Sequence, residues 1–155
     1  MNRNFKTNII VATANNNVIG FKNKLPWDYP EDLRYFRNIT ISQGKKNILL
    51  MGYNTWKSIN RSLANRLMIV LTTRNLEELK NQEDVRFVSD FNDALSMIAD
   101  LLHRPEYNEL FVIGGQKVYN YFMENGFIFN RGDLFIINKI YLTRINKDYQ
   151  GDTFV

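Results

Sequence analysis

Short continuous apolar runs, each closed by polar residues or glycine, recur along the chain. They include Ile9-Ile10-Val11-Ala12 within residues 8–14, Ile48 to Met51 ahead of Gly52, Leu67 to Leu71, and Leu110 to Ile113, and a further short strand is expected at Val85 to Val88. Runs of this length without alternation predict strands covered on both faces. Between them, apolar positions fall at helical spacing: Leu33, Phe36 and Ile39 after Pro30-Glu31-Asp32, a short stretch near Thr55 to Ser58, Ala94, Leu95, Ile98 and Leu102 around 92–102, and Val118, Tyr119 and Phe122 after Gly114-Gly115. Pro30 suits the first position of a helix, and Glu31 and Asp32 suit the positive end of its dipole. A last strand is expected over Ile140 to Ile145. Strands alternating with helices predict an α/β fold with right-handed crossovers, a mainly parallel central sheet and flanking helices.

Length and composition narrow this picture. A chain of 155 residues with 45% hydrophobic and 23% charged residues has the size of one domain and enough apolar surface for a core. No repeat or linker divides residues 1–155. The absence of cysteine excludes disulfides, iron–sulfur ligation and thiol nucleophiles. The one histidine, His103, sits at an expected helix end where its charge is favourable, so no metal site is expected. The net charge of +4 comes from dispersed basic residues such as Lys45-Lys46, which suits a small anion better than a nucleic acid. No apolar stretch approaches the length of a membrane span, and the first apolar run is too short for a signal peptide, so a soluble cytoplasmic protein is expected.

Three places carry candidate chemistry. Gly114-Gly115-Gln116-Lys117 lies between an expected strand and helix, where backbone amides can meet a phosphate directly. Its spacing is not that of the dinucleotide fingerprint, and a tight turn that needs glycine explains it equally. Met51-Gly52-Tyr53-Asn54-Thr55-Trp56 offers a second junction with further amides and a hydroxyl, so two junctions together suit one elongated, multiply charged ligand. Asp32, flanked by Trp27, Leu33 and Phe36, is either an ordinary first-turn acid or a carboxylate in an apolar pocket that binds an N–C–NH2 edge through two parallel hydrogen bonds.

These segments, in their order and spacing, resemble dihydrofolate reductase from end to end. The matching pieces are Val18-Ile19-Gly20, Leu25-Pro26-Trp27 with Asp32-Leu33 and Phe36, Met51-Gly52 with Thr55-Trp56 and Ser58-Ile59, Leu63 and Arg66, Val112-Ile113-Gly114-Gly115 with Val118-Tyr119, Tyr141-Leu142-Thr143-Arg144-Ile145, and Gly151-Asp152-Thr153-Phe154. The resemblance implies NADPH-dependent reduction of 7,8-dihydrofolate to tetrahydrofolate, with hydride passing to C6 of the pterin and a proton to N5. It implies Leu25, Trp27, Asp32, Tyr119 and Thr143 as catalytic residues, with Asp32 anchoring the pterin edge and Thr143 bonded to it. Ile10, Val11, Leu33, Phe36, Ile59, Leu63 and Ile113 would form the substrate walls, and Arg66 would hold the α-carboxylate of the glutamate tail, a site for antifolates as well. For the cofactor it implies Ala12, Ile19, Gly20, Gly52, Tyr53, Asn54, Thr55, Thr72, Thr73, Arg74, Ile113, Gly114, Gly115, Gln116, Lys117, Val118 and Tyr119. The loop over residues 15–25 matches the flap that closes on the nicotinamide, and Gly114-Gly115 matches a turn with a cis peptide.

The chain also departs from the family pattern. Tyr53 stands where the family usually has a cation, which removes one positive charge from the 2′-phosphate site. Residues 124–138 form an insertion with two apolar runs around Asn130-Arg131-Gly132-Asp133, whose turn-forming residues predict a hairpin. Its apolar face would add to the core or meet a second copy of the chain or a fused thymidylate synthase domain. The chain stops at Val155, ahead of the family's C-terminal antiparallel hairpin, which is expected to leave the last strand as an open sheet edge. Alternative readings are a pyrimidine reductase of riboflavin synthesis with the same fold and a catalytically weak module that binds a protein partner.

Overall fold

The computed structural model describes residues 4–13, 18–20, 38–42, 44–59, 65–74, 79, 84–124, 127–130, 132–144 and 153–154. In chain order these hold β1 (Asn4–Thr13), β2 (Val18–Gly20), β3 (Lys46–Gly52), α1 (Tyr53–Ile59), β4 (Arg66–Leu71), β5 (Val85–Val88), α2 (Phe91–Leu102), β6 (Tyr107–Gly114), α3 (Gln116–Met123), β7 (Phe127–Asn130), β8 (Asp133–Arg144) and β9 (Thr153–Phe154). Residues 38–40 are helical as well. The central sheet runs β5-β4-β3-β6-β1-β8-β7. Six of its strands are parallel to their neighbours, and β7 alone is antiparallel. β2 and β9 form a separate antiparallel pair, Val18 opposite Phe154.

The unbroken apolar runs have a direct structural reason. On β3, Ile48 and Leu50 face a core built with Leu95 and Ile98 of α2 and Val118 and Phe122 of α3, while Leu49 and Met51 face the other side, where Trp56 of α1 packs. A strand with helices on both faces has no solvent side on which to place polar residues. The α2 helix starts where Asp90 Oδ1 accepts a hydrogen bond of 2.8 Å from the Asp93 amide, as an N-cap should.

The expected strand at Ile140 to Ile145 and the expected hairpin are one feature in the structure. β8 runs unbroken for 12 residues and absorbs the second apolar run of the 124–138 segment, Leu134 to Ile137. Its first four residues pair with β7 through a turn at Asn130–Asp133, in which Gly132 takes a positive φ of 86°. β7 therefore covers the outer edge of β8 over Asp133 to Ile136, the part of this edge nearest the turn. Ile128 and Phe135 are buried in the main core, whereas Ile136 and Ile140 are exposed. Against β1, β8 shifts register between Thr7 and Asn8. At that bulge the Asn138 amide donates to Asn8 Oδ1 at 3.3 Å, and buried Asn8 donates to the Leu110 carbonyl at 3.3 Å, so its polar side chain is satisfied within the sheet.

Candidate functional site

β3 and β6 are neighbours, yet the chain leaves them in opposite directions. From β3 it passes through α1 to β4 on one side, and from β6 it passes through α3 to β7 and β8 on the other. In an open parallel sheet, such a reversal leaves a crevice beyond the carboxyl ends of the two strands, and ligands favour that place. Met51 is the partner of Gly114 in this pairing, so the two glycine junctions singled out in the sequence lie side by side.

Gly114 adopts φ +129°, where L side chains are strained, and a Cβ built there would lie 3.1 Å from Thr55 Oγ1 and 3.2 Å from the Tyr119 hydroxyl. Its peptide bond to Gly115 is cis. Among the described residues a Cβ at Gly115 would meet only Thr55 Oγ1, at 3.7 Å, and at Gly52 it would lie 3.6 Å from the Gly115 nitrogen. Gly114 is thus fixed by backbone conformation and close packing, while no described residue crowds Gly115 at the crevice. Tyr119 is buried, and its hydroxyl donates to the Ile10 carbonyl at 2.8 Å, tying α3 to β1. Burial pushes its phenol well above the usual value, so it remains a neutral donor.

Most of the remaining cofactor candidates follow the carboxyl ends of the central strands. Beyond β4, buried Thr72 donates its amide to the Val88 carbonyl at 2.9 Å, and its hydroxyl accepts from the Arg74 amide at 3.1 Å. Thr73 and Arg74 are exposed, and the Arg74 guanidinium carbon lies 4.4 Å from the centroid of the half-buried Tyr53 ring. Asn54, Gln116 and Lys117 are exposed, Thr55 is half-buried, and Ile113 and Val118 are buried. At the end of β1, Ala12 is the partner of Thr143, Val11 is buried and Ile10 half-buried. Ile19 and Gly20 lie on β2, beside β9.

Arg66 lies elsewhere. It opens β4 at the amino end of the sheet, is 5% exposed, and its Nε donates to Thr40 Oγ1 at 2.9 Å. The neighbouring Asn47 amide donates to the Thr40 carbonyl at 2.9 Å, so the 38–40 helical turn is tied to β3 and β4 together. Thr40 carried no signal in the sequence, because its role depends on a pairing across 26 positions. The stacking of Arg74 on Tyr53 was also not legible, since only the β3–β4 register brings the two exits together. Leu25, Trp27, Asp32, Leu33, Phe36 and Leu63 lie outside the described residues, as do the side chains of Ala12, Ile19, Ile59 and Thr143. Among the described residues no cluster fit to hold a metal occurs, and no helix is long and apolar enough to cross a membrane.

Residues 6–155 match the sequence family described as dihydrofolate reductase. The chain is 34% identical over 146 residues to dihydrofolate reductase type 9 of Escherichia coli, covering 94% of this chain and 73% of that protein. It is 38% identical over 146 residues to the dihydrofolate reductase of Buchnera aphidicola subsp. Baizongia pistaciae, with 94% and 74% covered. It is also 33% identical over 153 residues to bifunctional dihydrofolate reductase-thymidylate synthase 1 of Arabidopsis thaliana, covering 95% of this chain and 28% of that longer protein. A parallel sheet with a glycine-lined crevice at its switch point, matched over almost its whole length, places this chain in the dihydrofolate reductase family.

Proposed function

We propose that the protein reduces 7,8-dihydrofolate to 5,6,7,8-tetrahydrofolate with NADPH as hydride donor, in the cytoplasm. The observation that carries this reading, beside the family match, is the meeting of Gly52 and Gly114-Gly115 at the β3–β6 switch point. A dinucleotide phosphate approaches a backbone closely only where side chains are absent, and Gly115 supplies such a place. The chemistry of the flanks fits an anionic dinucleotide, with the exposed cations Arg74 and Lys117 and the hydroxyls of Thr55 and Thr73 on the same rim. When bound, NADPH supplies the hydride that C6 of the pterin accepts while N5 gains a proton.

The chain's own residues divide the remaining work. Asp32 binds the 2-amino and N3 edge of the pterin through two hydrogen bonds and assists protonation of N5, with Thr143 bonded to it. Tyr119 acts as a positioning residue, because its hydroxyl is engaged with Ile10 and its ring packs under Gly114. Arg66 receives the glutamate α-carboxylate. Five residue steps separate Arg66 from Leu71 at the other end of β4, which is roughly 17 Å of strand. The ligand that touches both ends is therefore long and carries its anion far from its reacting ring, as a folate does.

The test is cofactor oxidation with dihydrofolate, followed by loss of near-ultraviolet absorbance, with Asp32→Asn as control. Turnover that falls by about a hundredfold or more in the control at neutral pH supports the reading. Absence of turnover in folded native protein, or an unchanged rate in the control at pH 8, overturns it.

A further inference from the structure

Arg74 and Tyr53 come from different strands, and only the sheet brings them together. Gly52 is the partner of Leu71, so the residue that follows β3 and the three that follow β4 leave the sheet at the same level. The Thr72 hydroxyl accepts from the Arg74 amide and fixes the turn. From there the side chain lies with its guanidinium carbon 4.4 Å from the Tyr53 centroid. A cation in that position is attracted by the negative face of the ring. The contact engages the charge through the face of the ring and not through the N–H donors of the guanidinium. Among the described residues no carboxylate and no side-chain acceptor meets those donors. Thr73, the residue before Arg74, is exposed as well.

An oriented guanidinium that no anion among the described residues meets, on the rim of a crevice suited to a dinucleotide, has the chemistry of a phosphomonoester site. Resting on the assignment of that crevice to NADPH, we propose that Tyr53 is the platform that holds Arg74 against the 2′-phosphate, so that the two residues as a pair set the preference for the phosphorylated cofactor. Tyr53 does not merely remove a cation from the site, as its place in the sequence suggests. Its ring orients a cation delivered by the next strand. Tyr53 is a positioning residue in this scheme, and Arg74 makes the contact.

The experiment is calorimetric titration of the full chain with adenosine 2′,5′-bisphosphate and with adenosine 5′-monophosphate, which differ by the phosphate in question, alongside NADPH and NADH. Arg74→Gln is expected to weaken the bisphosphate and NADPH about tenfold or more and to leave the monophosphate and NADH unchanged. Tyr53→Leu is expected to weaken the same two ligands by about threefold, and Tyr53→Phe to retain native affinity. In the double variant Tyr53→Leu has no further effect, because it acts through Arg74. A Tyr53→Leu loss that persists in full without Arg74, a Tyr53→Phe loss equal to that of Leu, or equal weakening of phosphorylated and unphosphorylated ligands each overturns the proposal. Native protein that binds both nucleotides equally and turns over dihydrofolate overturns the pair but keeps the enzymatic reading. Binding of neither nucleotide overturns both.

Discussion

The two ends of the parallel sheet are built differently. At the amino end, side chains close on one another. Phe5 packs edge-on against His103 with ring centroids 5.2 Å apart and lies 5.3 Å from Phe135, while His103 Nε2 meets the Asp133 carboxylate at 3.2 Å. Lys46 pairs with Asp84 at 2.7 Å, and the Asn47 amide donates to the Thr40 carbonyl at 2.9 Å. At the carboxyl end the strands finish in glycine, threonine and exposed polar residues, Arg74 and Lys117 are exposed, and no described residue crowds Gly115. Groups that satisfy one another stabilise a fold, whereas groups held in place with unused capacity are available to a ligand. The β7–β8 hairpin joins the first kind of region. It docks at the amino end through Phe135 and Asp133, away from the crevice.

Variants that separate the two ends test this contrast. Phe135→Ala is expected to have the largest effect on stability, a loss of about 3–5 kcal/mol, since the side chain is almost fully buried among aromatic neighbours. Chemical denaturation measures it, and the dinucleotide affinity of the folded protein is expected to stay unchanged. Gly114→Ala strikes the other end. A methyl group at φ +129° and within about 3 Å of two oxygens is expected to cost about 2–4 kcal/mol and to abolish dinucleotide binding, so here both readouts move. Native-like affinity in this variant would break the placement of the site at the crevice.

His103→Ala removes one partner of the buried Asp133 carboxylate and the edge contact to Phe5, and a loss of about 1–2 kcal/mol with unchanged turnover is expected. The smallest effect is that of Tyr119→Phe, about 1 kcal/mol at neutral pH, for one hydrogen bond to Ile10. This variant has a pH signature. The folded phenol titrates above its unfolded value of about 10, so its stabilising contribution is complete below that pH and is lost as pH rises beyond it. Native protein is expected to lose stability in the alkaline range, and thermal melts of Tyr119→Phe should show a shallower decline there.

Much of this architecture is legible in local pattern. The run at Ile48 to Met51, the short segment Val85 to Val88, and the helical spacing of Ala94, Leu95, Ile98 and Leu102 produced the strands and the helix expected of them. The hairpin turn at Asn130 to Asp133 was legible as well, although β8 continues through what local pattern separates into two strands. Asn138 interrupts the apolar run, and a bulge against β1 accommodates it without ending the strand.

The sequence by itself thus determined the α/β alternation, the two glycine junctions and the family. It could not determine that Gly52 and Gly114 stand side by side or that Arg74 rests on Tyr53. Each of those facts depends on strand order and register, which arise when distant segments pair across the sheet. Local periodicity fixes which face of an element is buried, but only the packing of whole elements decides which residues become neighbours.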